Sequence, residues 1–133
     1  MASHHPSKRL ASPLARVRGL GSAKEGVQHW WAQRVSAAAL VPLTLWFIYS
    51  AIELTGADQG RVRDWLHRPA DAILMSLFVI ATFTHLSLGI QTVIEDYVHR
   101  EGVKLVTLLL VKGLIVLVGA AALFTVLRIA FGG

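Results

Sequence analysis

One histidine, His85, lies deep inside an uncharged apolar run, and eleven residues after it stands an Asp-Tyr pair, Asp96 and Tyr97. Burying an ionisable side chain in a stretch suited to lipid is costly, so such a residue marks either chemistry or a specific polar contact. Imidazole is the common protein ligand of haem iron and the side chain that titrates near neutral pH, so axial ligation and proton relay are both open to it. A neutral imidazole hydrogen-bonded to a neighbouring helix is the plain structural alternative. At 100° per residue, Ala81, His85 and Gly89 form one stripe with small residues a turn either side of the ring. That stripe clears room for the edge of a flat porphyrin, and equally for close approach of another helix.

Asp96 falls within about 20° of the same helix face and about 16 Å further along, if the helix continues that far. Tyr97 offers a phenol able to hydrogen-bond a substrate carbonyl, and the adjacent carboxylate can orient that hydroxyl or exchange protons. Composition alone equally allows Glu95, Asp96, His99 and Arg100 to be a solvated helix end, with Tyr97 in an interfacial aromatic belt. Arg34 sits where the first apolar run begins and suits a carboxylate or propionate partner, or else serves as an ordinary basic flank. His29 borders the membrane beside it and is a weaker candidate for an anionic group. His4 and His5 near the N-terminus, and His67 and His99 in polar connections, read as solvated.

The elements that must hold these residues are three apolar runs, Val35–Ile52, Ala72–Ile94 and Leu105–Leu127, in which Lys112 is the single Lys, Arg, Asp or Glu. Each approaches the roughly 20 residues that cross a bilayer as helix. The chain, 133 residues with 54% apolar and 16% charged side chains, is therefore expected to be an all-α membrane protein with three transmembrane helices at about 32–54, 71–94 and 103–129. These make one anchor domain, 27–133, after a flexible basic tail, 1–26, with no secretory signal pattern. A short mitochondrial presequence is the other reading of that tail.

Lys8, Arg9, Arg16, Arg18, Lys24 and Arg34 outweigh Glu25 before the first span, whereas the next connection balances Arg61, Arg63 and Arg68 with Glu53, Asp58, Asp64 and Asp71. Basic flanks stay inside, so the N-terminus and the connection holding Asp96 face the cytoplasm, or the matrix of a mitochondrion. The net charge of +5 reflects this topology more than nucleic-acid binding. With no cysteine, thiolate metal sites and disulfides are excluded. Trp30 and Trp31 suit the headgroup region; "RVRDWLH" suits a surface helix with Trp65 touching the membrane; Gly102 suits a turn; and Lys112 is placed to snorkel.

Two stretches, "GSAKEGVQHWWAQRVSA" and "HLSLGIQTVIEDYVH", resemble the small hydrophobic membrane anchor of succinate dehydrogenase, respiratory complex II, of alphaproteobacterial type. The second carries His, Gly four residues later and Asp-Tyr eleven residues after the His, and the resemblance covers roughly residues 19–130. It implies a haem-binding helix bundle formed with a second membrane anchor subunit, with His85 as one axial ligand of haem b and Arg34 near the haem propionates. It implies that Tyr97 and Asp96 belong to a ubiquinone site completed by the second anchor and the iron–sulfur subunit, in a bacterial inner membrane and serving the tricarboxylic acid cycle. Succinate oxidation itself would lie in the flavoprotein and iron–sulfur partners, because this chain has no flavin-binding motif and no cysteine for a cluster. The anchor of a fumarate reductase or another quinone-linked dehydrogenase, and a haem-free scaffold or small transporter, are the alternatives.

Overall fold

The computed structural model describes residues 23–132 as four helices: α1 (Ala23–Glu53), α2 (Gln59–His67), α3 (Pro69–Tyr97) and α4 (Glu101–Phe131). Among the described residues α1, α3 and α4 are each long and apolar enough to cross a membrane. Their 31, 29 and 31 residues correspond to roughly 46, 43 and 46 Å, more than the roughly 30 Å of hydrocarbon in a bilayer. The excess at each end carries the helices into the headgroup layers.

The helices begin earlier or end later than the apolar runs suggest. α1 starts at Ala23, inside the stretch expected as tail, because "AKEGVQHWW" contains no residue that stops a helix once lipid or a partner surface supports it. The remainder of that stretch, including His4, His5 and the four basic residues before Gly19, lies outside the described residues. Ala23–Trp31 belongs to a separate compact unit from the chain beyond it, and within that opening the rings of Trp30 and Trp31 meet edge to face at 5.1 Å. α1 continues through Pro42 without a break.

From Ala32 onward the chain forms one unit. α1 ends in a turn at Gly56, whose φ of 75° is a left-handed conformation that suits glycine. Asp58 then caps α2, its Oδ1 accepting from the Arg61 backbone N–H at 2.8 Å. α2 buries Trp65 and Leu66. Trp65 is only 7% exposed and stacks on Trp46 of α1, ring centroids 5.7 Å apart, so it faces protein and not the lipid expected for it. A large aromatic on a two-and-a-half-turn helix gains more from a packed ring than from a membrane surface.

α3 opens with Pro69, which suits a first helical position, and Asp71, whose carboxylate meets Arg68 Nε at 2.7 Å. The α3–α4 connection is only Val98–Arg100, in extended conformation at its two caps. Gly102 is helical and not the turn residue expected, because Arg100 already caps α4 and Glu101 favours a helix N-terminus.

α3 is the central helix of this unit. One face meets α1 through stacked Phe78 and Phe47, centroids 4.8 Å apart, and through His85. The roughly opposite face meets α4, where Phe83 packs so tightly on Gly119 that an added Cβ would lie 3.0 Å from the Phe83 Cγ. Ile94 and Ile115 are buried, while Leu109, Leu110, Leu114, Val116 and Leu117 point outward. This outward apolar surface is what lipid or other membrane subunits demand, since no hydrophobic force draws such side chains inward there.

Candidate functional site

His85 lies near the middle of α3, about 18 Å along the helix from Tyr97 at its end. Its half-buried ring meets the hydroxyl of Ser36 on α1, with Nδ1 and Oγ 3.1 Å apart. Ser36 is itself buried, 7% exposed, and its Oγ also lies 3.0 Å from the Gln33 carbonyl oxygen. A carbonyl only accepts, so that contact uses the one proton of the serine hydroxyl. Nδ1 of His85 is then the donor and Ser36 Oγ the acceptor. The remaining ring nitrogen, Nε2, then carries the lone pair and makes no hydrogen bond among the described residues.

A Cβ built on Gly89, one turn along the same stripe, would meet nothing within 4 Å. Gly89 thus makes no close helix contact of the kind that Gly119 makes. An imidazole bonded at Nδ1 with Nε2 left without a partner among the described residues is a donor that haem iron takes, so the residues present fit the cofactor implied by the sequence. Among the described residues no group of three or more His, Asp and Glu side chains is gathered for a metal ion.

α3 runs unbroken to Tyr97, which puts Asp96 on nearly the same face as His85, at the α3–α4 end. Both Asp96 and Tyr97 are exposed, Tyr97 at 79%, so phenol and carboxylate stand open to a ligand or to a partner subunit. They are separated from His85 by more than ten residues of helix and do not touch it. Arg34 is exposed and lies within about 3 Å of Ser36 in height along α1, but about 160° round the helix from it. It thus shares the level of the His85 contact and not its face.

The other histidines form no common site. His67 Nδ1 donates to the Arg63 carbonyl at 2.7 Å within α2, and His99 is exposed in the connection. His29 lies half-buried in the opening of α1.

Two functional features escaped the sequence reading. Ser36 looked like any small polar residue in an apolar run, and nothing local pairs it with a residue 49 positions away. Lys112 was expected to snorkel, but its Nζ donates to Gln91 Oε1 on α3, while Gln91 Nε2 donates to Glu95 Oε1 at 2.9 Å. The one signal available was that Gln91 and Lys112 are the two long polar side chains well inside the second and third apolar runs, and such groups find each other when no water is present.

With the site's geometry in view, known proteins supply the family. The succinate dehydrogenase/fumarate reductase transmembrane subunit family matches residues 8–127. The succinate dehydrogenase hydrophobic membrane anchor subunit of Paracoccus denitrificans is 39% identical over 89 residues, covering 67% of this chain and 69% of its own length. The protein of the same name from Rickettsia bellii is 33% identical over 99 residues, covering 74% and 79%, respectively. The succinate dehydrogenase membrane anchor subunit of Reclinomonas americana is 30% identical over 92 residues, covering 67% and 77%. The chain thus belongs to the succinate dehydrogenase/fumarate reductase transmembrane subunit family and is a membrane-spanning part of an oxidoreductase complex.

Proposed function

We propose that the chain is the hydrophobic anchor of a succinate:ubiquinone oxidoreductase, holding haem b with a second membrane anchor subunit and forming part of the quinone-reduction site. The observation that carries this reading is the His85 ring, held at Nδ1 in mid-span with Nε2 open. Haem b, when bound, supplies one-electron exchange. His85 Nε2 would hold the iron, and the long Arg34 side chain, at the same level on another face of α1, would hold a propionate. The flavoprotein and iron–sulfur subunits would dock on the face that bears Tyr97, which in this reading is cytoplasmic, in a bacterial inner membrane. The basic residues preceding the first span support that orientation.

At the α3–α4 end the Tyr97 hydroxyl donates a hydrogen bond to a quinone carbonyl, and Asp96 beside it holds or passes a proton at its carboxylate. Reduction to quinol takes two electrons from the partner subunits and two protons from the aqueous side. Exposed groups at a helix end, in contact with water and the headgroup layer, suit that delivery. The family also serves fumarate reductases.

The test is made on the purified complex. His85→Ala should abolish or strongly perturb the b-type absorption spectrum, and an unchanged spectrum would remove the ligand assignment. Tyr97→Phe should slow quinone reduction while succinate oxidation by an artificial acceptor continues. Unchanged quinone reduction in Tyr97→Phe would refute a quinone role for Tyr97, whereas equal loss of both activities would point to misassembly.

A further inference from the structure

We propose that Ser36 is the positioning residue of the His85 site: its hydroxyl accepts the Nδ1 proton, and so fixes the tautomer and the plane of the imidazole whose Nε2 faces the ligand. The inference rests on the reading of His85 as an axial donor and goes beyond it by naming what makes that histidine a competent one.

A neutral histidine has two tautomers, and only the one with its proton on Nδ1 leaves Nε2 able to donate to iron. In water the two interconvert freely. In an apolar span there is no solvent to hold the proton, so a protein group must select. Ser36 does this because its own proton is directed elsewhere. The contact from Oγ to the Gln33 carbonyl at 3.0 Å makes the hydroxyl a donor within its own helix, which turns the oxygen lone pairs toward His85 Nδ1 at 3.1 Å. The serine is buried, so water does not compete for those lone pairs. Were the direction reversed, with Ser36 donating to Nδ1, the ring proton would sit on Nε2 and block coordination.

Position on the chain reinforces the assignment. The contacts Ser36–His85 and Phe47–Phe78 run in opposite order along α1 and α3, so the two helices are antiparallel and His85 meets α1 at the level of Ser36. The bond joins α1 to α3 through a buried serine and leaves the ring little freedom to rotate about its Cβ–Cγ bond. A hydroxyl acceptor is neutral, so it orients the imidazole without adding a charge to the span.

The test compares Ser36→Ala, Ser36→Thr and His85→Ala in the purified complex. The readouts are haem content per complex, the redox midpoint of the b-type haem, and its low-spin electron paramagnetic resonance signal. Loss of an outer partner of a ligating histidine commonly costs 10- to 100-fold in affinity, so Ser36→Ala should lose haem about tenfold more readily on dilution or competition. It should also raise the midpoint, because an imidazole without its Nδ1 acceptor donates less electron density to ferric iron, and should broaden the resonance signal as the ring plane loosens. Ser36→Thr keeps the hydroxyl and should restore all three. Should Ser36→Ala fail to assemble, Ser36→Cys, close in size with a weakly accepting sulfur, should show the same changes at smaller amplitude. If His85→Ala removes the haem while Ser36→Ala leaves content, midpoint and signal unchanged, the Ser36 role is refuted and the ligand reading stands. If His85→Ala itself leaves the haem spectrum intact, both fall together.

Discussion

Replacing Gln91 with leucine should expose what the α3–α4 contact holds in place. Lys112 stands eleven residues into α4, about 16 Å from its start. A 46 Å helix centred on a 30 Å hydrocarbon layer overhangs by about 8 Å at each end, which puts the Lys112 backbone about 8 Å below the apolar boundary. An extended lysine reaches about 6 Å, so the ammonium falls short of water unless the helix shifts. Gln91 Oε1 supplies the missing acceptor, and Glu95 in turn holds the Gln91 amide. A hydrogen bond to a charged group contributes about 1.5–3 kcal/mol when both partners are present, and an uncompensated lysine deep in a span costs about the same. Gln91→Leu should therefore destabilise the protein by about 2 kcal/mol. Lys112→Met removes charge and need together and should be near neutral or stabilising. In the double variant, Gln91→Leu should lose most of its cost, giving a coupling of about 1–2 kcal/mol. Equilibrium unfolding of the purified complex by a denaturing detergent, followed by helical circular dichroism, measures all three. Additivity within about 0.5 kcal/mol would mean that the two side chains are independent and would refute the reasoning.

Three further outcomes follow from packing. Gly119→Ala sets a Cβ 3.0 Å from the Phe83 ring and should cost about 1–3 kcal/mol in the same unfolding assay, whereas Gly113→Ala, which meets nothing within 4 Å, should be neutral within about 0.5 kcal/mol. Trp65→Ala removes the ring stacked on Trp46 and should cost about 3 kcal/mol or more, with loss of a tryptophan fluorescence component sensitive to that stack. Gly89→Leu fills the open space beside His85 and should leave helix content unchanged while lowering haem occupancy, read from the haem-to-protein absorbance ratio.

The three spans were legible in the sequence because the bilayer imposes one local demand, an unbroken apolar helix of sufficient length, and the runs around Leu45, Phe83 and Ile115 satisfy it residue by residue. His85, Gly89, Asp96 and Tyr97 could be set on one helix because their spacing along a single element fixes their relative height and angle. What spacing within one helix cannot express is a meeting between helices. Ser36 and His85, Gln91 and Lys112, and Trp46 and Trp65 each join elements whose rotation about their own axes depends on the whole bundle. Gly102 misled for a different reason. Glycine permits a turn without requiring one, and Arg100 had already ended the extended connection.

The central place of α3 has a consequence for how the chain tolerates change. One side of that helix bears His85 with its serine, and the roughly opposite side bears Phe83 on Gly119 and Gln91 on Lys112. The helix therefore acts as a party wall, with the chemistry in one room and the structural bracing in the next. Alterations to the brace can accumulate and be repaired by compensating residues on α4 alone, without redecorating the room that houses the imidazole.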